Sequence, residues 1–315
     1  MRISFDEACE RLQAGDVVAI PTETVYGLAA PINSSLGIEE IFLLKRRPQD
    51  NPLIIHLDEF QSMQKYASNL PESVQALAEA HWPGPMTLVV KANQELVPGN
   101  VRANLETAAF RVPSYELTRR LVSVVGPLVA PSANVSGSPS STSPEHVEHD
   151  FGRDFPVLDG GVCELGVEST ILSWGGDERW QILRLGALSP ADFIPTLGYA
   201  PKLYTPMGDE PPLAPGMNHP HYSPKARLHL GSEGYDGKLP YVVGYSDRHY
   251  LGAEKVFFLG PSTVPIVVCQ RLYETLRAID REECQEVFVD MQVGDTGLWQ
   301  TIRERLKRAA KKTLS

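Results

Sequence analysis

The chain has 315 residues, 42% of them hydrophobic, 22% charged and 8% aromatic. These ordinary globular proportions exclude disordered, collagen-like and low-complexity classes. Lysine plus arginine total 29 against 39 acids, a formal net charge of -10, so a general nucleic-acid coat is excluded and any polyanion site must come from a local basic cluster. At about 100–200 residues per domain the length predicts two domains, each with its own core. Cys9, Cys163, Cys269 and Cys284 form no C-x-x-C pair, which argues against a zinc knuckle or redox motif and fits a reducing compartment. Asp6 and Glu7 stand where a signal peptide needs an apolar run, and the longest apolar stretch, 121–125 followed by 128–130, is too short to span a bilayer. A soluble, cytoplasmic protein with no membrane partner is expected.

In chain order, Ser4 and Glu7 form a capping box, Phe5, Ala8 and Leu12 share a face, and Gly15 ends the first helix. The apolar run 17–20 breaks at Pro21 and reads as a buried strand. A helix over 37–46 leads to a strand over 53–57, and a helix over 72–81 to a strand over 86–91. A strand over 108–112 follows, then a helix capped by Ser114 and closed at Gly126-Pro127. Strands are expected over 128–130, 170–174 and 181–185, and Ser189-Pro190 opens a helix that Gly198 closes. Such alternation predicts an α/β domain with a partly parallel or mixed sheet. Pro201, Pro206, Pro211, Pro212, Pro215, Pro220 and Pro224 then mark an extended linker. Beyond it, strands over 228–230, 241–245, 255–259 and 286–290, with helices over 270–280 and 298–311, predict a second, smaller α/β unit. The expected division is 1–200, a linker over 201–227, and 228–315.

No G-x-x-x-x-G-K-[ST], G-x-G-x-x-G, H-E-x-x-H, G-x-S-x-G or kinase signature is present, so generic motifs do not reach the chemistry. Several local blocks are more informative. In Pro21-Thr22-Glu23-Thr24-Val25-Tyr26-Gly27-Leu28 the hydroxyls fall two apart, which an extended backbone aims one way; alone, a polar helix-capping loop explains them as well. Lys45, Arg46 and Arg47 end a helix, where cations suit its dipole, yet a phosphate site explains them equally. His56, within Ile54-Ile55-His56-Leu57, reads alone as a hydrogen-bonded core residue. Thr107 and Arg111 share a strand face, and an arginine among apolar neighbours needs an anion, either a structural carboxylate or a ligand's. Pro131-Ser132-Ala133-Asn134-Val135-Ser136-Gly137 follows a strand, where open α/β sheets place ligands.

Taken together, P-T-E-T-V-Y-G-L, K-R-R-P-x-D-N-P-L-I-I-H, W-P-G-P-M-T-L-V, F-R-V-P, A-P-S-A-N-x-S-G, G-V-E-S-T-I and L-R-x-G closely resemble the YrdC-type domain of the threonylcarbamoyl-AMP synthases. The resemblance runs from Val17 to about Gly198 and continues into Ala214-Pro215-Gly216-Met217 and His221-Tyr222-Ser223-Pro224, similar to the linker of that family's two-domain form. Asn218-His219-Pro220 departs from it, since a basic or aromatic residue is usual there. Leu272-Tyr273-x-x-Leu276-Arg277-x-x-Asp280 and Arg305-Leu306-x-x-Ala309-Ala310 are similar to its second domain.

The resemblance implies a YrdC-like twisted mixed sheet with flanking helices, followed by a smaller C-terminal α/β (Rossmann-like) domain. It implies an enzyme that joins L-threonine, bicarbonate or CO2, and ATP into threonylcarbamoyl-adenylate and pyrophosphate, for threonylcarbamoyladenosine in tRNA. A carbamate nucleophile already carries charge, so positioning and cations on the leaving pyrophosphate should suffice, with Mg2+ carried on ATP rather than in a dedicated metal site. Carried over, Lys45 and Arg47 are the catalytic cations, and with Asn51 they face the triphosphate. Thr107, Ser132, Asn134, Thr142, Arg184 and Tyr222 complete the ATP group. Thr22, Thr24, His56, Arg111 and Ser169 form the threonine group, with Arg111 matched to the carboxylate. Threonylcarbamoyl-transfer proteins are the expected downstream partners, and tRNA is a candidate. The main alternative is an RNA-binding module, which net charge and the lack of any RNA-module motif disfavour. A carbamoyltransferase of hydrogenase maturation, which contains a similar domain, should carry paired-cysteine zinc motifs that are missing here.

Overall fold

The computed structural model describes residues 1–175, 177–205, 213–214 and 222–311. Its larger sheet has eleven strands, in the spatial order Arg2–Ile3, Val157–Leu158, Val18–Ile20, Gly27–Pro31, Leu128–Val129, Ile54–His56, Thr107–Arg111, Met86–Lys91, Thr170–Trp174, Trp180–Arg184 and Lys202–Leu203. Parallel pairs such as Ile54–His56 with Thr107–Arg111 adjoin antiparallel ones such as Met86–Lys91 with Thr107–Arg111, so the sheet is mixed. The central strands are buried on both faces, which is why they read as continuous apolar runs.

Most of the expected helices form, but Glu116–Val125 starts after Tyr115 rather than the expected cap Ser114 and has no side-chain cap hydrogen bond. Ser4 accepts a hydrogen bond from the Glu7 amide, and Gly15 closes the helix Phe5–Ala14 in the left-handed region at φ 95°. Ser34 caps Ser35–Lys45 in the same way. The helix expected after Ser189 is divided: Pro190–Phe193 is a 3-10 turn and Ile194–Leu197 is α-helical. Pro195 explains the change of pitch, because it has no amide to donate and its ring crowds the carbonyl of Ala191. The strand Gly27–Pro31 and the helices Phe60–Tyr66 and Pro144–Phe151 escape the sequence reading.

The second unit is a parallel sheet in the order Arg227–Gly231, Glu286–Asp290, Tyr241–Gly244 and Lys255–Phe258, packed with the helices Pro265–Arg281 and Leu298–Ala310. Its core does not stop at its own strands. Val25 and Val167, from two loops of the first unit, and Tyr222 pack into the same cluster as Leu272, Tyr273 and Ile302. Gly166 permits this approach: at φ 71° a Cβ would stand 2.5 Å from the Gln270 Cα. Between the two units the chain begins as the edge strand Lys202–Leu203, and Ala214 is fully buried against Ile54, Val89, Ala109, Ile171 and Leu183 of the large sheet.

Candidate active site

Loops from several strand ends close on a cavity of about 650 Å3, counting its mouth. Ten of the expected site residues line it: Thr22, Thr24, Arg47, His56, Arg111, Ser132, Asn134, Ser169, Arg184 and Tyr222. Strand register sets part of this. His56 lies beside Arg111 in the parallel pair Ile54–His56 and Thr107–Arg111, and Ser169 immediately precedes the strand Thr170–Trp174.

Around Arg111 the geometry is tight. Its guanidinium donates to Thr24 Oγ1 at 2.9 Å and to the Gly84 carbonyl at 3.3 Å. Its Nη2 sits 2.7 Å from Glu23 Oε1, with both residues buried. Angles there are those of an ion pair without an aligned hydrogen bond, so Arg111 Nη2 and both Glu23 oxygens have none among the described residues. The anion that Arg111 needs is therefore present as a structural carboxylate, one that the sequence reading passed over in favour of the neighbouring hydroxyls. Thr22 Oγ1 donates to the Val25 carbonyl at 2.6 Å and lies 2.8 Å from Thr24 Oγ1, holding the turn. Burial, reinforced by Arg111, pushes His56 down to about 3, so its imidazole is neutral at pH 7.

Arg47 and Arg184 form a second cationic centre. Arg47 donates to the carbonyls of Asn51 at 3.2 Å and Pro52 at 2.8 Å. Burial, then the nearby charge of Arg184, pushes it down to about 9. Arg184 donates to Ser169, reaching its carbonyl at 3.0 Å and its hydroxyl at 3.2 Å. Asn134 turns its amide nitrogen to the carbonyls of Val135 and Ser138, leaving Oδ1 buried without a hydrogen bond among the described residues.

Lys45, Asn51, Thr107 and Thr142 lie outside the cavity lining. Lys45 is buried, and its ammonium donates to the carbonyls of Ser132 and, at 2.7 Å, Asn134, bracing the loop that carries both residues. Burial, then Arg47, holds its pKa well below the usual lysine value. Only Lys45 of the three cations is helical; Arg46 is exposed in the left-handed region, and Arg47 turns inward. Asn51 is buried behind Arg47, Thr107 stands at the far end of its strand from Arg111, and the Thr142 amide donates to His146 Nδ1. Glu168 and Ser140 line the cavity although neither was singled out; Glu168 sits inside the G-V-E-S-T-I block, where position alone does not distinguish it from Ser169.

This architecture has close parallels. A family model described as "Telomere recombination", covering Sua5, YciO and YrdC proteins, matches residues 10–186. A second, described as "Threonylcarbamoyl-AMP synthase, C-terminal domain", matches residues 199–311. The chain belongs to the two-domain threonylcarbamoyl-AMP synthase family. It is an enzyme. Relatives named threonylcarbamoyl-AMP synthase include one from Pyrococcus abyssi, 35% identical over 95% of this chain and 92% of that protein. Another, from Bacillus subtilis, is 33% identical over 96% of this chain and 92% of its own length. Crystal structures agree: P. abyssi Sua5 complexed with L-threonine superposes with a TM-score of 0.88 at 32% identity, over 98% of this chain and 96% of that one. The likeness to full-length HypF, 19% identical with a TM-score of 0.51 over 29% of that chain, is one of fold alone.

Proposed function

We propose that this member of the family condenses L-threonine, bicarbonate or CO2, and ATP into threonylcarbamoyl-adenylate and pyrophosphate at the cavity described above. The observation that carries the reading is the pair of cationic centres on one cavity: Arg111 beside Thr24 and His56, and Arg47 beside Arg184. Arg111, with Nη2 buried and short of a hydrogen bond, suits the amino acid's carboxylate, while Glu23 holds its fork in place. A neutral His56 can accept or donate a hydrogen bond at threonine without adding charge. Arg47 and Arg184 suit the phosphates, where fixed cations stabilise charge that moves onto the leaving pyrophosphate. Mg2+ belongs to the substrate, arriving on ATP. Lys45, outside the cavity, acts on the nucleotide through the Ser132–Asn134 loop that it braces.

Residues 1–200 form the catalytic domain in this reading, and the segment 201–227 is a lid over it. Ala214 packs against the large sheet and Tyr222 lines the cavity; residues 206–212 and 215–221, His221 among them, lie outside the described residues. A closed lid excludes water from the carbamate and the mixed anhydride. The test is direct: the pure chain with ATP, L-threonine and bicarbonate should release pyrophosphate only when threonine is present. Threonine-independent release, or none, overturns the reading.

A further inference from the structure

Glu168 is an acid in the wall of a cavity assigned to a polyanion, and its partners come mostly from the other domain. Arg305 Nε lies 3.0 Å from Oε2, and the Tyr273 hydroxyl lies 2.9 and 2.8 Å from the two oxygens. From the first domain, Ser140 donates to Oε1 at 2.6 Å. Arg305, on the helix Leu298–Ala310, is completely buried and also donates to the Leu185 carbonyl at 2.7 Å. Its guanidinium stands 4.8 Å from the Tyr222 ring centroid, and that ring stacks on Tyr273 at 5.3 Å and 24°. Tyr222 has a φ of 67°, a backbone region that a bulky side chain adopts only when its surroundings impose it. Arg305 and Tyr273 themselves do not line the cavity, yet both lining groups that they hold, Glu168 and Tyr222, do.

We propose that Arg305 is a positioning residue for ATP: from the second domain it cancels the charge of Glu168 and, with Tyr273, seats Tyr222, so that the cavity wall stays cationic toward the phosphates. The inference rests on the cavity being the ATP site. Burial alone would raise the Glu168 carboxyl, but Arg305, then Arg184 and the Ser140 hydrogen bond outweigh it and bring it down to about 2. With Arg305 in place Glu168 is thus an anion at neutral pH, and an anion in a dry wall that loses its counter-charge acts strongly on a neighbouring phosphate. Arg184 is the other arginine acting on it. Without Arg305, Arg184 is the cation left to answer Glu168, at the expense of the nucleotide. The second domain thereby sets the electrostatics of a site in the first, beyond anchoring the linker.

The experiment measures ATP and threonine binding by equilibrium dialysis, with steady-state KM and kcat, on the full chain and on R305M, R305K, E168Q and R305M/E168Q. R305M should bind ATP about tenfold or more weakly, with threonine affinity within about twofold, since the charge acts on the phosphate side. R305K should recover part of the loss. E168Q alone should bind ATP at least as well as the wild type, and R305M/E168Q should return to within about threefold of it, because the cavity-wall carboxylate that Arg305 answers is gone, Tyr273 still stacks on Tyr222, and Glu304, the other carboxylate paired to Arg305, lies outside the cavity lining. Wild-type-like ATP affinity in R305M overturns the inference, as does a double variant no better than R305M. If R305M does not fold, E168Q decides: weakened ATP binding would mean that Glu168 is needed as a charge, and the inference falls. A wild-type chain that binds no ATP overturns the functional reading itself, whereas normal wild-type binding with an indifferent R305M overturns this inference alone.

Discussion

Arg47→Met removes a charge that the free protein holds at a cost. Its pKa of about 9, against an ordinary 12.5, means that at pH 7 the guanidinium is charged in both folded and unfolded chains. Folding therefore carries the full penalty of burial and of the neighbouring Arg184. At about 1.4 kcal/mol per pKa unit, that is about 5 kcal/mol. Methionine relieves it but strands the carbonyls of Asn51 and Pro52, which Arg47 satisfies at 3.2 and 2.8 Å, at about 1–3 kcal/mol each. The two effects largely cancel, so the ligand-free variant should be at most about 1 kcal/mol less stable and at most about 3 kcal/mol more stable than wild type, melting no more than about 4 °C early. What should vanish is the response to nucleotide. Saturating ATP at 100 times its dissociation constant stabilises a binding-competent fold by about 2.7 kcal/mol, and R47M should show little of that shift and little threonine-dependent pyrophosphate release. Thermal melts with and without Mg-ATP measure both halves. A variant that keeps the ATP-induced shift, or whose ligand-free form melts more than about 10 °C early, would refute the assignment of Arg47 to phosphate and return it to a structural role.

His56 is held neutral, with a folded pKa near 3 against an ordinary 6.5; only the unfolded chain takes up its proton between those values, so stability falls as pH drops through that window. His56→Gln should flatten the slope by up to one proton, and an unchanged slope would show that His56 titrates normally. In substrate trials serine should be accepted weakly, since a lost methyl is worth about 1–3 kcal/mol, while valine leaves buried polar groups unpaired and should fail; equal turnover of threonine and valine would remove the proposed threonine site. Tyr222→Ala should leave the chain folded and remove most threonine-dependent pyrophosphate release, and full activity would reduce the linker to a tether. That single substitution is a cleaner test than truncation after Leu203, which would also remove Arg305 and Tyr273 from Glu168.

The elements legible in the sequence are those whose signals are local. Met86–Lys91 and Thr170–Trp174 fall where their apolar runs place them, and Ser4 and Gly15 bound the first helix as caps do. Arg2–Ile3 and Val157–Leu158 are two-residue strands that exist only because each pairs with a distant partner; no periodicity fits into two residues. The helix Pro144–Phe151 begins without a side-chain cap hydrogen bond, and His146 is buried within it, so an aqueous-looking segment conceals a packed face. In the cavity the limit was direction. Type and spacing mark Lys45, Arg46 and Arg47 as a cationic cluster, and the family resemblance singles out Lys45 and Arg47, but whether a side chain two positions from its neighbour meets a ligand or a carbonyl depends on the left-handed Arg46 between them. Lys45 braces a loop and Arg47 reaches the cavity.

A buried site with several arginines and few acids must allot each acid, because every carboxylate in the wall subtracts from the field that holds an anionic substrate. The two acids closest to this chemistry are allotted differently. Glu23 pairs within its own domain to Arg111 and fixes that fork where an amino acid's carboxylate is proposed to sit. Glu168 pairs across the domain boundary to Arg305 and Tyr273. The first arrangement is complete in the catalytic domain and independent of the linker. The second exists only when the helices Pro265–Arg281 and Leu298–Ala310 are docked, with Tyr222 held between Tyr273 and the Arg305 guanidinium. Threonine recognition and nucleotide recognition should therefore respond differently to the second domain: loosening it changes the charge that ATP meets while leaving the Arg111 centre as it was. Comparing the two affinities across the Arg305 and Glu168 variants measures that separation.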